Sequence, residues 1–263
     1  MLLATVEAAL FDATHIWYMV LSAAASVGLL VLAHLYLKTQ KQKDSFLKFW
    51  ALITVALHYS SLWVDFFKDG DKTIGENMLF AIYPCNICMW LLFAVSLIRN
   101  KESLVFKILA EFVFWGGTVC GIIGIVLNEN YVGSIGLADY EIFKGLISHS
   151  TMVMGALYLL VGKYVKIRVF NVISVAVGLT IFIVNGTIIN TLYEIFEREP
   201  CNSMYLQEPP FDNMPWFNTL LIGVIAISVC FIITAIYEQI ALKKEERWYT
   251  RLKQFFKQKS KNA

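Results

Sequence analysis

Apolar residues fill seven long stretches of the chain, near 16–37, 49–67, 78–98, 108–127, 146–162, 169–193 and 217–242. Polar residues gather between them. A helix needs about 20 apolar residues to cross the hydrocarbon core of a bilayer, and most of these stretches reach that length. The one at 146–162 is the shortest, and the pattern lets its start extend back toward Tyr140. The runs are too long and too evenly apolar for the alternating strands of a membrane barrel. Only helices and closed barrels satisfy their backbone hydrogen bonds in lipid. The pattern therefore predicts an all-α polytopic bundle of seven transmembrane helices.

The polar stretches add an orientation. Lys and Arg collect on the cytoplasmic side of membrane proteins. The first loop carries Lys38, Lys41, Lys43 and Lys48, the third Arg99, Lys101 and Lys107, and the fifth Lys163, Lys166 and Arg168. The tail adds eight more basic residues, so that 18 of the 22 fall on alternate loops and the tail. Acidic residues, among them Asp65, Asp139, Glu194 and Glu208, mark the other side. This alternation predicts seven crossings with the N-terminus outside and the C-terminus inside.

Composition agrees. The chain is 58% hydrophobic with only 16% charged residues, against about 25% charged in a soluble domain, so its surface must itself be largely apolar. A multi-pass protein of the cell membrane is expected, with a seven-helix domain over 1–242 and a basic cytoplasmic tail over 243–263. In that tail Trp248, Tyr249, Phe255 and Phe256 interleave with the charges, a pattern suited to anionic headgroups. A cleaved signal peptide is not expected, because the first basic residue is Lys38. The odd helix number disfavours an inverted-repeat transporter. No cofactor, metal or nucleic-acid partner is expected, and the sequence leaves the oligomeric state open.

Ionisable and polar groups inside a membrane are costly and mark candidate sites. His58 falls near the middle of the second stretch and Pro84, Cys85, Asn86 and Cys88 in the third. His149 opens the fifth, and Asn185 and Asn190 lie in the outer half of the sixth. Glu111 lies instead near the inner end of the fourth. Each has a structural reading. The histidines can bond across helices, Pro84 can kink its helix, and Cys88 and Cys120 can act as small packing residues. Glu111 can pair with Lys107 across one turn, and Gly116, Gly117, Gly121 and Gly124 can allow close helix packing.

The functional reading joins the same groups. A thiol becomes a strong nucleophile when a neighbouring imidazole takes its proton. An unperturbed thiol, with a pKa of about 8.5, needs such a partner. A site in the outer half of the bundle suits a substrate with its chain in lipid and its ester near the headgroups. Cys85 or Cys88 is the expected nucleophile, with His149 as its base. Asn86 or Asn190 would support the oxyanion, His58 would orient a headgroup, and Asp65 would hold an amine. The loop at 194–216 is expected to cover the site with Asn202 and Tyr205 facing inward. A transporter or lipid-binding protein with a polar outward cavity is the competing class. Haem ligation by His58 and His149 is weaker, since the helices lack repeated histidine pairs.

The chain resembles the bacterial YwaF-like integral membrane family through three features. They are Pro84 followed by Cys85, Asn86 and Cys88, the approach from Phe143 to His149, and Asn202, Tyr205 and Leu206 ahead of Pro209 and Pro210. Bacterial members carry a His where this chain has Asn86, which aligns their cysteine with Cys88. The eukaryotic pattern places Cys directly after Pro, which favours Cys85. Those eukaryotic relatives include a transmembrane acyltransferase acting on ether lysophospholipids through a cysteine thioester. The resemblance implies phospholipid and lysophospholipid as the substrates.

Overall fold

The computed structural model of the protein describes residues 7–60, 64, 80–196, 201–210 and 214–261. Among these it contains α-helices and short 3-10 turns. In chain order the α-helices are α1 (Ala13–Tyr36), α2 (Gln40–Tyr59), α3 (Pro84–Leu97), α4 (Leu104–Val126), α5 (Tyr140–Val161), α6 (Ile173–Ile195), α7 (Thr219–Ala241) and α8 (Trp248–Lys261). The spans Ala13–Tyr36, Leu104–Val126, Tyr140–Val161, Val169–Ile195 and Thr219–Ala241 are long and apolar enough to cross a membrane. Asp65, and most of the predicted second span beyond Tyr59, lie outside the described residues.

Local signals set the helix starts. Asp12 caps α1 by accepting the His15 N–H, Thr39 and Gln42 form a capping box on α2, Ser103 caps α4 and Asn218 caps α7. Each supplies an acceptor to a backbone N–H that the helix itself leaves unpaired. Asp139 does the same for α5 and starts it at Tyr140, at the early boundary.

α4 and α5 are the centre of the bundle, with α2 and α3 packed on them and α6 against α4. The glycines of α4 make this possible. A Cβ on Gly117 would meet Ala156 Cβ at 3.1 Å, and one on Gly121 would meet Val153 Cγ2 at 2.4 Å. The backbones of α4 and α5 therefore approach closely, as the glycine spacing predicted. Phe112 of α4 likewise fills the space where a Gly178 Cβ would stand on α6. The core around this contact includes Leu47, Cys88, Leu92, Ala110, Val113 and Met152.

α1 and α7 are peripheral, and most of each helix faces outward. Leu21, Val27 and Leu32 on α1 and Val224, Ile232 and Ile240 on α7 are exposed. An apolar face of this size suits lipid, where it carries no hydrophobic penalty.

The basic loops meet at one end of the bundle. There the Tyr164 hydroxyl donates to Asp44 at 2.6 Å, Lys101 stands over the Tyr164 ring, and Arg168 pairs with Glu246 at 3.5 Å. The tail is not an unstructured run of charges. It forms α8, whose first residue, Trp248, gives its N–H to the buried Glu238 at 2.6 Å. Glu238 also accepts the Val169 N–H at 2.8 Å.

Candidate functional site

The third apolar stretch is not helical from its beginning. Phe80–Tyr83 runs as irregular chain, and Pro84 is the first residue of α3. Proline suits that position, since its missing N–H has no partner in a first turn anyway. Pro84 therefore starts a helix and does not kink one. The Asn86 side chain reaches back and accepts the Tyr83 N–H at 3.0 Å. This start places Cys85 in the first turn, directly after Pro84, while the Asn86 N–H donates to the Tyr83 carbonyl at 3.0 Å. The positive end of the helix dipole therefore faces a candidate nucleophile.

The cysteines of α3 lie on α4. The Cys88 thiol is buried, with Cys85 and Cys120 as its thiol neighbours. Gly116 leaves room for this contact, since a Cβ there would stand 3.2 Å from Cys88 Sγ.

One turn further along α4 is Gly124, and His149 of α5 packs into the space of its missing Cβ, which would lie 2.4 Å from Nε2. Gly116, Cys120 and Gly124 are four residues apart and share one helix face. On that face Cys120 stands one turn, and the Gly116 contact with Cys88 two turns, from the Gly124 position that His149 fills. His149 Nδ1 lies 2.7 Å from the Gly145 carbonyl. A carbonyl only accepts, so Nδ1 carries the proton, and Nε2 of the neutral ring is left as a proton acceptor.

His58 approaches from α2. Because the Asn86 oxygen is taken by Tyr83, its NH₂ group is the one that points to His58 Nε2, at 3.4 Å. Asn86 thus joins the α3 start to a second imidazole, which in turn meets the Tyr59 ring edge-on.

The described part of the following loop, 201–210, closes over the α3 start. Ser203 and Met204 are its buried residues. Met204 N–H and Ser203 Oγ–H both donate to the Ile82 carbonyl, at 2.9 and 3.1 Å, and Asn185 donates to the Ala81 carbonyl at 2.8 Å. Non-helical backbone at membrane depth is stable only with such protein partners.

Asn190 holds the loop itself, accepting the Ser203 N–H at 2.7 Å and donating to the Ser203 carbonyl at 3.3 Å. Gly186 lets the loop approach, because a Cβ there would stand 2.9 Å from Met204 Cβ. Asn202, Met204 and Tyr205 all have positive φ, at 44°, 57° and 54°. Three such residues without a glycine store strain that only tight surroundings maintain.

The predicted residues therefore separate into two groups. Cys85, Cys88, Asn86 and His58 gather around the α3 start, and His149 lies further along the same face of α4, at Gly124. Asn190 and Asn202 serve the loop instead. Asn202 accepts the Gln207 and Glu208 N–H groups and donates to the Glu208 carbonyl. Tyr205 meets Tyr83 with ring centroids 6.1 Å apart.

Glu111 does not pair with Lys107. It is buried against Asn171, and Lys107 pairs with Glu102 at 2.7 Å. In the sequence Cys120 reads only as a packing residue, and nothing there singles out Tyr83. His15 was also missed. It is fully buried, donates to the Ile125 carbonyl at 2.8 Å and stacks on Tyr131, tying the start of α1 to the end of α4. Among the described residues, no group of three or more His, Cys, Asp or Glu is arranged to hold a metal ion.

The model of the TMEM164 family matches residues 10–237. The chain belongs to the TMEM164 family. The match runs from just before α1 to near the end of α7, so it covers the thiols, both imidazoles and the loop that closes over them. As a member of this transmembrane family with five membrane-capable helices, the chain is a multi-pass membrane protein. No curated protein and no solved structure matches it.

Proposed function

We propose that this chain is a membrane lipid acyltransferase that carries an acyl group as a thioester on Cys85, with His149 as the general base. The reading includes a seven-helix domain over 1–242 with its N-terminus outside, and a cytoplasmic tail over 243–263 whose helix α8 lies at the headgroups. The observation that carries it is the shared face of α4, where Cys88 packs at Gly116 with Cys85 and Cys120 as neighbours and His149 fills the space of Gly124. The resemblance to YwaF-like proteins and their ether-lysophospholipid acyltransferase relatives supports the same chemistry.

The reaction needs no further reagent. His149 Nε2 takes the Cys85 proton, and the sulfur attacks the ester carbonyl of a diacyl phospholipid. A C–S bond forms and the C–O bond to glycerol breaks. The leaving alkoxide takes the proton back from the imidazolium and departs as a lysophospholipid. A second lysophospholipid then gives its hydroxyl proton to Nε2 and attacks the thioester. Its C–O bond forms, the C–S bond breaks, and the proton returns to sulfur. Asn86 and His58 would sit beside the substrate headgroup, and Asn190, Asn202 and Tyr205 would support the site through the loop.

The test is acyl exchange between a labelled diacyl phospholipid and a lysophospholipid in proteoliposomes, with intact mass before and after hydroxylamine. Cys85→Ser and His149→Ala should abolish exchange, and Cys85→Ser should abolish the hydroxylamine-sensitive adduct. Loss with Cys88→Ser alone would move the nucleophile one turn along α3. Absence of both exchange and adduct in the wild type would sink the enzyme reading and leave lipid binding or transport in its place.

A further inference from the structure

Two cavities follow one another along the crevice between α1 and the α2–α5 pair. The larger, about 590 Å³, is lined by Trp17, Leu21, Ala25, Leu29, Trp50 and Met154 among others. Its walls are almost wholly apolar. The hydroxyls beside it, on Tyr18, Ser22 and Ser150, bond to one another at 2.7 and 2.8 Å. The smaller cavity, about 190 Å³, begins just past the larger one on α1 and is mostly polar. His34, Lys38, Lys43 and Lys163 line it, together with Tyr158.

The smaller cavity has the marks of an anion site. No carboxylate lines it, and Lys38, Lys43 and Lys163 form no ion pair among the described residues. Asp44, next along α2, is taken up by Tyr164 and Gln40. Tyr158 is buried, yet its phenol has no hydrogen-bond partner. Lys163 stands at the end of α5 with φ 68°, a conformation that helix ends usually give to glycine. Three ammonium groups without an ion-pair partner around one polar pocket give it a positive field that an anion would neutralise.

We propose that this crevice binds one anionic phospholipid from the leaflet at the lysine-bearing end of the bundle. The phosphate lies among Lys38, Lys43 and Lys163, and one acyl chain runs along α1 past Leu29 and Ala25. The apolar cavity alone would suit any chain, and the basic pocket alone any phosphate. Their succession along the same three helices fits a molecule with both parts. The proposal does not depend on the acyltransferase reading, because it uses none of that site's residues.

Native mass spectrometry of the full chain in neutral detergent tests it, with phosphatidylglycerol, phosphatidylcholine and inorganic phosphate as probes. The wild type should bind phosphatidylglycerol about tenfold more tightly than phosphatidylcholine, in keeping with the attraction of clustered lysines for anionic headgroups. Replacing all three lysines by Gln should remove that preference, and replacing all three by Arg should keep it. Ala25→Trp should fill the apolar cavity and weaken phosphatidylglycerol binding at least about tenfold, while Ala25→Ser leaves it unchanged. Equal binding of the two lipids by wild type would overturn the proposal. So would full binding by the Gln or Trp variant. Inorganic phosphate held at the lysines without competition from phosphatidylglycerol would show a free-anion site and overturn it as well.

Discussion

Gly124 and His149 share one volume: the Cβ that Gly124 lacks would stand 2.3 Å from His149 Cδ2. The position of the imidazole is thus set by α4 as much as by its own helix. Gly124→Ala should push the ring away from the cysteine face and lower acyl exchange at least about tenfold, since small misplacements of catalytic groups are costly. Gly28→Ala is the control, because nothing lies within 4 Å of a Cβ there. It should leave exchange unchanged and, in a helix, stabilise by up to about 1 kcal/mol. Exchange assays on the two variants side by side decide the matter, and equal activities would remove Gly124 from the site.

Asn190 should prove structural. Asn190→Ala strips the buried Ser203 N–H of its partner, while the Ser203 carbonyl keeps the Leu206 N–H. An unsatisfied buried group costs about 1–3 kcal/mol, so the unfolding midpoint should fall. The loop at 201–210 should also become a site of limited proteolysis. An unchanged midpoint and digestion pattern would show that the loop is held by other contacts.

The ends of the bundle can be told apart chemically. In a background without native cysteines, a single cysteine at Lys41 should resist an impermeant thiol reagent on intact cells, and one at Asp139 should react. Labelling at 41 and not at 139 would invert the orientation.

Acid stability has one identifiable source at the start of α1. Hydrogen bonding from the His15 backbone N–H, ahead of the opposing effect of burial, holds the Asp12 carboxyl below its ordinary value. A carboxyl lowered in the folded state contributes stability that is fully present above its unfolded value, about 3.9. That contribution is lost as the pH falls through the lowered folded value. Asp12→Asn should therefore flatten the fall in unfolding midpoint below about pH 4 and change its slope little between pH 5 and 7. Parallel slopes for the two proteins in acid would rule Asp12 out.

Much of the bundle was legible because membrane helices announce themselves by length. α1, α4, α5, α6 and α7 each fall within or close to a predicted apolar stretch. The start of α3 was not. Phe80, Ala81, Ile82 and Tyr83 are apolar enough to read as helix, and the groups that satisfy their backbone, on Asn185 and Ser203, lie 104 and 121 residues away. Periodicity carries no trace of partners so distant. The residue types of the site were legible from the cost of polarity in lipid, but their lateral arrangement was not. Asn190 is legible in the sequence as a polar group in an apolar stretch, but both ends of its amide are bonded to Ser203 of the loop. Its sequence context did not show that a loop would occupy it.

A bilayer adapts to what stands in it. With 14 residues, α3 covers about 21 Å along its axis, while the hydrocarbon layer around the longer helices is about 30 Å thick. A short span draws the lipid surface toward itself. On the acyltransferase proposal, such a dimple beside α3 would lie where the chain before Pro84 enters the helix. Ester groups that elsewhere ride at the rim of the protein would there descend toward the level of Cys85, so that the reactive bond could meet the thiol without the whole lipid leaving its leaflet.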